Sequence, residues 1–189
     1  SKYHMEADKQ NVFIIGTPNH GNMGDQAIWY ATQKLLEKYF MNANVVDVDM
    51  SDFETDIEGI AHLIQNQDIL ILQGGGNFGN YYMDDEMIRR SVISRFKNNR
   101  IIMFPQTVYF SRDKEGEEEL KRSVSIYNKN KNLILIARDA ESFECLKANF
   151  TNDMYMLPDV VLSLNAINME KERKGVLICL RSDKESVMN

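Results

Sequence analysis

Asn11-Val-Phe-Ile-Ile-Gly-Thr-Pro-Asn-His-Gly-Asn-Met-Gly-Asp25 decides how the rest of this chain is read. An apolar run at 12–15 feeds a glycine-bearing turn. From Asp25 onward, Ile28, Ala31, Leu35, Leu36 and Tyr39 recur at helical spacing. A strand that ends in such a turn and opens a helix gathers backbone N–H groups and the positive end of a helix dipole around one small volume. Gly16, Gly21 and Gly24 let the backbone approach a ligand closely. That volume is the expected ligand site. Asp25 stands where the helix starts, so it has two readings, an N-cap or a catalytic carboxylate.

Known phosphate motifs do not fit the turn. Gly16 and Gly21 have P-loop spacing, but Asn22 and Met23 occupy the positions of the Lys and the Ser or Thr that hold phosphate and magnesium, which argues against an ATPase. Asp47 and Asp49 close the next apolar run, where a ribose-binding acid could sit, yet the turn lacks G-x-G-x-x-G. That spacing does occur later, in Gln73-Gly-Gly-Gly-Asn-Phe-Gly-Asn80 after the apolar run 69–72. A dinucleotide site would need an acid about 20 residues on, at the end of the following strand. Pro105, Gln106 and Thr107 stand there instead, and the dinucleotide reading is set aside.

Five apolar runs follow or include these segments, at 45–48, 69–72, 101–104, 133–137 and 154–157. Helical patterns at 51–67, 84–97, 113–129 and 140–150 alternate with them. This order predicts an α/β fold, a doubly wound parallel sheet of Rossmann-like type, with ligands outside the carboxyl ends of the strands. The turns at 16–25, 74–80, 105–107 and 138–142, together with Asp159, should therefore share one rim. Arg89, Arg90 and Arg95 are expected on a solvated helix face.

Residues 1–10 are polar and patternless, expected to be disordered or tag-derived. The Rossmann-like domain is expected over 11–164, a polar linker over 165–174, and the start of a truncated second domain over 175–189. The 189 residues are 43% apolar, enough for a core, and carry a net charge of -6, which argues against a nucleic-acid partner. Cys145 and Cys179 lack metal-ligand spacing and suit a reducing compartment. No metal constellation is visible, and no apolar run approaches the roughly 20 residues of a membrane helix. A cytoplasmic protein is expected, with peripheral membrane contact left open.

Taken together, Gly16-Thr-Pro-Asn-His-Gly-Asn-Met-Gly-Asp-Gln-Ala-Ile28, Gln73-Gly-Gly-Gly-Asn-Phe-Gly79, Phe104-Pro-Gln-Thr107, Ala137-Arg138 with Ser142, and Leu157-Pro-Asp159 resemble the polysaccharide pyruvyl transferase family. The resemblance implies the N-terminal half of a GT-B-like two-domain fold with a cleft between the halves. It also implies transfer of a pyruvyl group from phosphoenolpyruvate, the donor substrate, to hydroxyls of a glycan or lipid-linked saccharide of a capsule, exopolysaccharide or cell wall. No further cofactor is expected. The second half of such proteins is thought to supply a histidine, so a chain that stops here is expected to lack part of the site.

That chemistry needs a base for the hydroxyl, a proton for the methylene, and cations against carboxylate and phosphate. Asp25 is the candidate base or acceptor-orienting group. Arg138 is the candidate fork on a carboxylate or phosphate, with simple pairing to Asp139 or Glu141 as the alternative. His20 is the candidate proton carrier, unless it only hydrogen-bonds its own backbone. Gly21, Gly24, Gly74, Gly75 and Gly76 would bring N–H donors to the phosphate, Asn22, Asn77 and Gln106 would bind sugar hydroxyls, and Arg181 would reach in from the second-domain side. The rival expectations are a GT-B-like glycosyltransferase using a nucleotide sugar, and a non-catalytic fragment or partner subunit.

Overall fold

The computed structural model describes residues 2–5, 9–165, 174–176 and 178. Strand β1 (Asn11–Thr17) is followed by helix α1 (Met23–Tyr39), β2 (Asn44–Asp49), α2 (Met50–Thr55), α3 (Ile57–Leu63), β3 (Ile69–Leu72) and β4 (Gly75–Gly79). Then come α4 (Met83–Arg95), β5 (Arg100–Tyr109), α5 (Lys114–Tyr127), β6 (Leu133–Ala137), α6 (Ala140–Asn149), β7 (Asp153–Met156) and a 3-10 turn, Val160–Ser163.

All strand pairs are parallel, in the order β2-β1-β3-β5-β6-β7, with β4 also paired to β5. From β1 the chain moves one way to β2 and then back across to β3 and onward. The crevice between the carboxyl ends of β1 and β3 is thus the topological switch point, where open α/β sheets bind ligands.

The apolar runs lack polar alternation because both sheet faces are covered. Phe13, Ile15, Leu70 and Leu72 pack with residues of α2 to α6 on one face. Val12, Ile14 and Ile71 pack with Ile28, Ala31 and Leu36 of α1 and with Val160 on the other. Within the first ten residues, the Tyr3 hydroxyl donates to Asp52 at 2.8 Å and the His4 carbonyl accepts from Asn44 at 2.9 Å.

Three expectations need correction. The glycine stretch after β3 is not a free turn: β5 runs on to Tyr109, past Pro105, and residues 75–79 pair with its far half as β4. The pattern at 51–67 breaks into two helices, because Asp56 caps the second by accepting from the Gly59 N–H. Arg89 and Arg90 are buried rather than solvated. They surround Glu86, which is wholly inaccessible and also accepts from the Tyr127 hydroxyl at 3.0 Å, tying α4 to α5.

Candidate functional site

Two glycine segments meet at the switch point. The Gln73 N–H donates to the Ile15 carbonyl at 3.0 Å, so the chain leaving β3 starts beside the turn that leaves β1. Gly16 makes that turn with φ of 86°, a conformation that a side chain resists. Gly21 and Gly24 have no positive φ and are exposed.

Asn22, not Asp25, is the N-cap of α1: its side chain accepts from the Gly24 N–H at 2.9 Å. Asp25 lies in the first turn, where the helix dipole favours a carboxylate, and it is left half-buried at the rim. The His20 ring meets the backbone of its own turn and stands near Asp25. Nδ1 accepts from the Asn22 N–H at 3.4 Å, and Nε2 stands 3.8 Å from an Asp25 carboxylate oxygen.

On β4, a Cβ added at Gly75 would lie 4.0 Å from Oδ1 of Asp25, and one added at Gly76 would lie 2.9 Å from Nη2 of Arg138. Consecutive glycines thus leave space beside which the candidate base and the candidate cation lie. Arg138 pairs with neither Asp139 nor Glu141. Its Nη1 donates to Asp159 at 2.7 Å, and its Nε donates to the Thr107 hydroxyl at 2.8 Å. The Thr107 hydroxyl in turn donates to Asp139 at 2.9 Å. Burial pushes the Asp139 carboxyl up, but the Ser142 N–H, the Thr107 hydroxyl and the Arg138 charge together hold it below its ordinary value. Nε and Nη1 are thereby committed to the fold, and Nη2 is the nitrogen that faces Gly76.

Gln106, expected to face a sugar, is fully buried. Its amide N–H donates to the Gln73 carbonyl at 2.6 Å, and its amide oxygen accepts from the Asn77 N–H at 3.4 Å. It closes the break between β3 and β4. The Asn77 side chain is likewise engaged, donating to Asp85 and accepting from Arg89. Gly74 is buried, and the β4 glycines are strand residues rather than an open phosphate turn. Arg181 and Cys179 lie outside the described residues.

Asp47, weighed above as a ribose ligand, accepts from the Trp29 indole N–H at 2.8 Å and from Gln33 at 2.6 Å. Asp49 caps α2 by accepting from the Asp52 N–H at 2.8 Å. Both carboxylates are engaged within the fold.

The family model described as polysaccharide pyruvyl transferase matches residues 22–187. The chain belongs to that family. It is 41% identical over 182 residues to General stress protein 30 of Bacillus subtilis, covering 95% of this chain and 52% of that protein. It is 32% identical over 194 residues to Pyruvyl transferase 1 of Schizosaccharomyces pombe, covering 96% of this chain and 46% of that protein. The chain therefore spans about half the length of the curated relatives it matches. The family match begins at Asn22, inside the first glycine segment, and runs through Asp25, the second glycine segment and the Arg138 cluster. Among the described residues, no helix is long and apolar enough to cross a membrane.

Sequence reasoning missed the Arg138 partners Thr107 and Asp159 as a working pair, although both lie at strand ends it had marked. It also missed Asp85. A carboxylate in a helix's first turn carries no signal that it will lie beside Asn77 and Arg89.

Proposed function

We propose that this chain forms one wall of a site that moves the pyruvyl group of phosphoenolpyruvate onto hydroxyls of a glycan or lipid-linked saccharide in the cytoplasm. The other wall is a second domain of a GT-B-like pair. The observation that carries this reading is that Asp25, in the helix that follows β1 at the switch point, and Arg138, after β6, both come close to consecutive glycines of β4.

The chemistry divides along those residues. The Arg138 guanidinium meets the donor's carboxylate or phosphate with a planar pair of N–H groups. Asp25, with His20 beside it, orients the acceptor hydroxyl and takes its proton as the oxygen bonds to C2 of the enol phosphate. A proton is delivered to the methylene carbon, which becomes the methyl group. A second hydroxyl then displaces phosphate and closes a ketal, so one hydroxyl proton ends on carbon and the other leaves with the phosphate.

The exposed rings of Tyr81 and Tyr109, edge to face with centroids 6.0 Å apart at the ends of β4 and β5, suit the C–H faces of sugar rings. Isothermal titration of the full-length protein with phosphoenolpyruvate and with UDP and GDP sugars tests the donor. Phosphoenolpyruvate is expected to bind, and Arg138→Ala to weaken it about tenfold to a hundredfold, the worth of charge-assisted hydrogen bonds. Nucleotide-sugar binding without phosphoenolpyruvate binding would overturn the reading.

A further inference from the structure

A pocket of about 20 Å³ opens on the rim beside Gly16, between β3 and the start of α4. This is room for one oxygen-sized group. Its polar lining is Gln73, Asn77, Asp85 and Arg89. Of its lining residues, Gly16, Met50, Asn77 and Asp85 are half-buried.

Gln73 is only 9% exposed, yet neither its amide oxygen nor its amide nitrogen has a hydrogen-bond partner. A buried amide left in this way is costly, and the sequence retains a polar side chain where the strand before it, 69–72, is wholly apolar. The neighbouring polar groups are already engaged. Asn77 bonds both Asp85 and Arg89, and Arg89 bonds the Asn77 carbonyl at 2.9 Å and Glu86 at 3.2 Å.

The charge around the pocket says which oxygen fits. The Asp85 carboxyl lines it, and Asp25 is near enough to add its field to the burial that pushes the Asp85 carboxyl up. Arg89, the cation in the lining, is committed to Glu86 and Asn77, so an anionic oxygen would face Asp85 and Asp25 with that charge already shared, whereas Gln73 offers a donor and an acceptor together. A neutral hydroxyl, itself both donor and acceptor, matches that pair.

We propose that Gln73 and Asp85 form a hydroxyl subsite for the acceptor sugar, in which one pyranose hydroxyl bridges the Gln73 amide and the Asp85 carboxyl. This rests on the pyruvyl-transfer reading and divides its rim: the anionic donor lies on Arg138, and the neutral acceptor lies over Asp25, Asp85 and Gln73. A sugar lacking that one hydroxyl should bind more weakly, because it leaves the Gln73 amide unpaired.

The test is an NMR titration of the full-length protein with methyl α- and β-pyranosides of galactose, mannose and glucose, and separately with phosphoenolpyruvate. At least one glycoside should bind, and Gln73→Met, which keeps the side-chain length without its polar atoms, should weaken it about fivefold while leaving phosphoenolpyruvate affinity within about twofold. Asp85→Asn, which keeps an acceptor for Asn77, applies the same test from the opposite wall and covers the case in which the first variant does not fold. Glycoside binding unchanged in the folded variants, or absent for every glycoside, would overturn the subsite. Glycoside binding that depends on Gln73 in a protein that ignores phosphoenolpyruvate would overturn the donor reading and leave the subsite standing.

Discussion

Gly76 has no side chain, and the Arg138 guanidinium uses the space. A methyl group there would sit 2.9 Å from Nη2, which is the far end of a flexible side chain and can swing aside. Gly76→Ala is therefore expected to change stability by less than about 1 kcal/mol in urea melts while weakening phosphoenolpyruvate binding as Arg138→Ala does. A variant that binds normally would mean the guanidinium does not work from this position. Asn22→Ala removes the cap of α1 and should cost about 1 kcal/mol, read from the same melts. Asp25 and Arg138 could be marked from sequence because each follows an apolar run that a parallel sheet sends to one rim. Gln106 could not be placed in that way. Its burial depends on β5 continuing through Pro105, and that depends on β4 being there to pair with it.

At the scale of elements, the unforeseen strand β4 is held by close backbone approach at its end as well as by Phe78, which is buried against Tyr127 and Phe150. Gly79 has φ of 132°, and a Cβ there would meet the Tyr109 carbonyl oxygen at 1.7 Å. Backbone cannot move away as a side-chain tip can, so Gly79→Ala should cost about 2–4 kcal/mol and loosen the β4 and β5 pairing, seen as faster amide exchange at Asn80. The join between α4 and α5 was equally invisible in sequence. Arginines at 89 and 90 look like a solvated face until α5 brings Glu119, Ser123 and Tyr127 over them. Glu86→Ala would leave Arg89 without its buried ion-pair partner, while Arg90 keeps Glu119 at 2.6 Å, and a loss of about 3–5 kcal/mol is expected in chemical denaturation.

For the whole molecule, the alternation of apolar runs with helical periods was enough to give the class of fold. It did not give the strand order, which depends on where each crossover packs. That order puts the switch point between β1 and β3 and so draws Asp85 of α4 toward Asp25 of α1. The arrangement predicts how global stability varies with pH. Burial first, and then the field of Asp25, raise the Asp85 carboxyl above its ordinary value, with Arg89 opposing. A raised folded-state value means that the protonated group contributes its full share below the ordinary carboxylate range, and that this share is lost as pH rises through the folded value. Asp113 works in the opposite sense. Hydrogen bonds from the Gly116 N–H and the Ser111 hydroxyl lower its carboxyl, so its share is present above the ordinary range and lost as pH falls through the folded value. The two can be separated by substitution. In urea melts run from about pH 3 to about pH 7, Asp85→Asn should gain stability relative to the parent protein as pH rises, because only the parent must ionise a buried acid beside Asp25. A difference that stays flat or falls with pH would mean that α1 and α4 do not bring these two carboxylates together across the crevice.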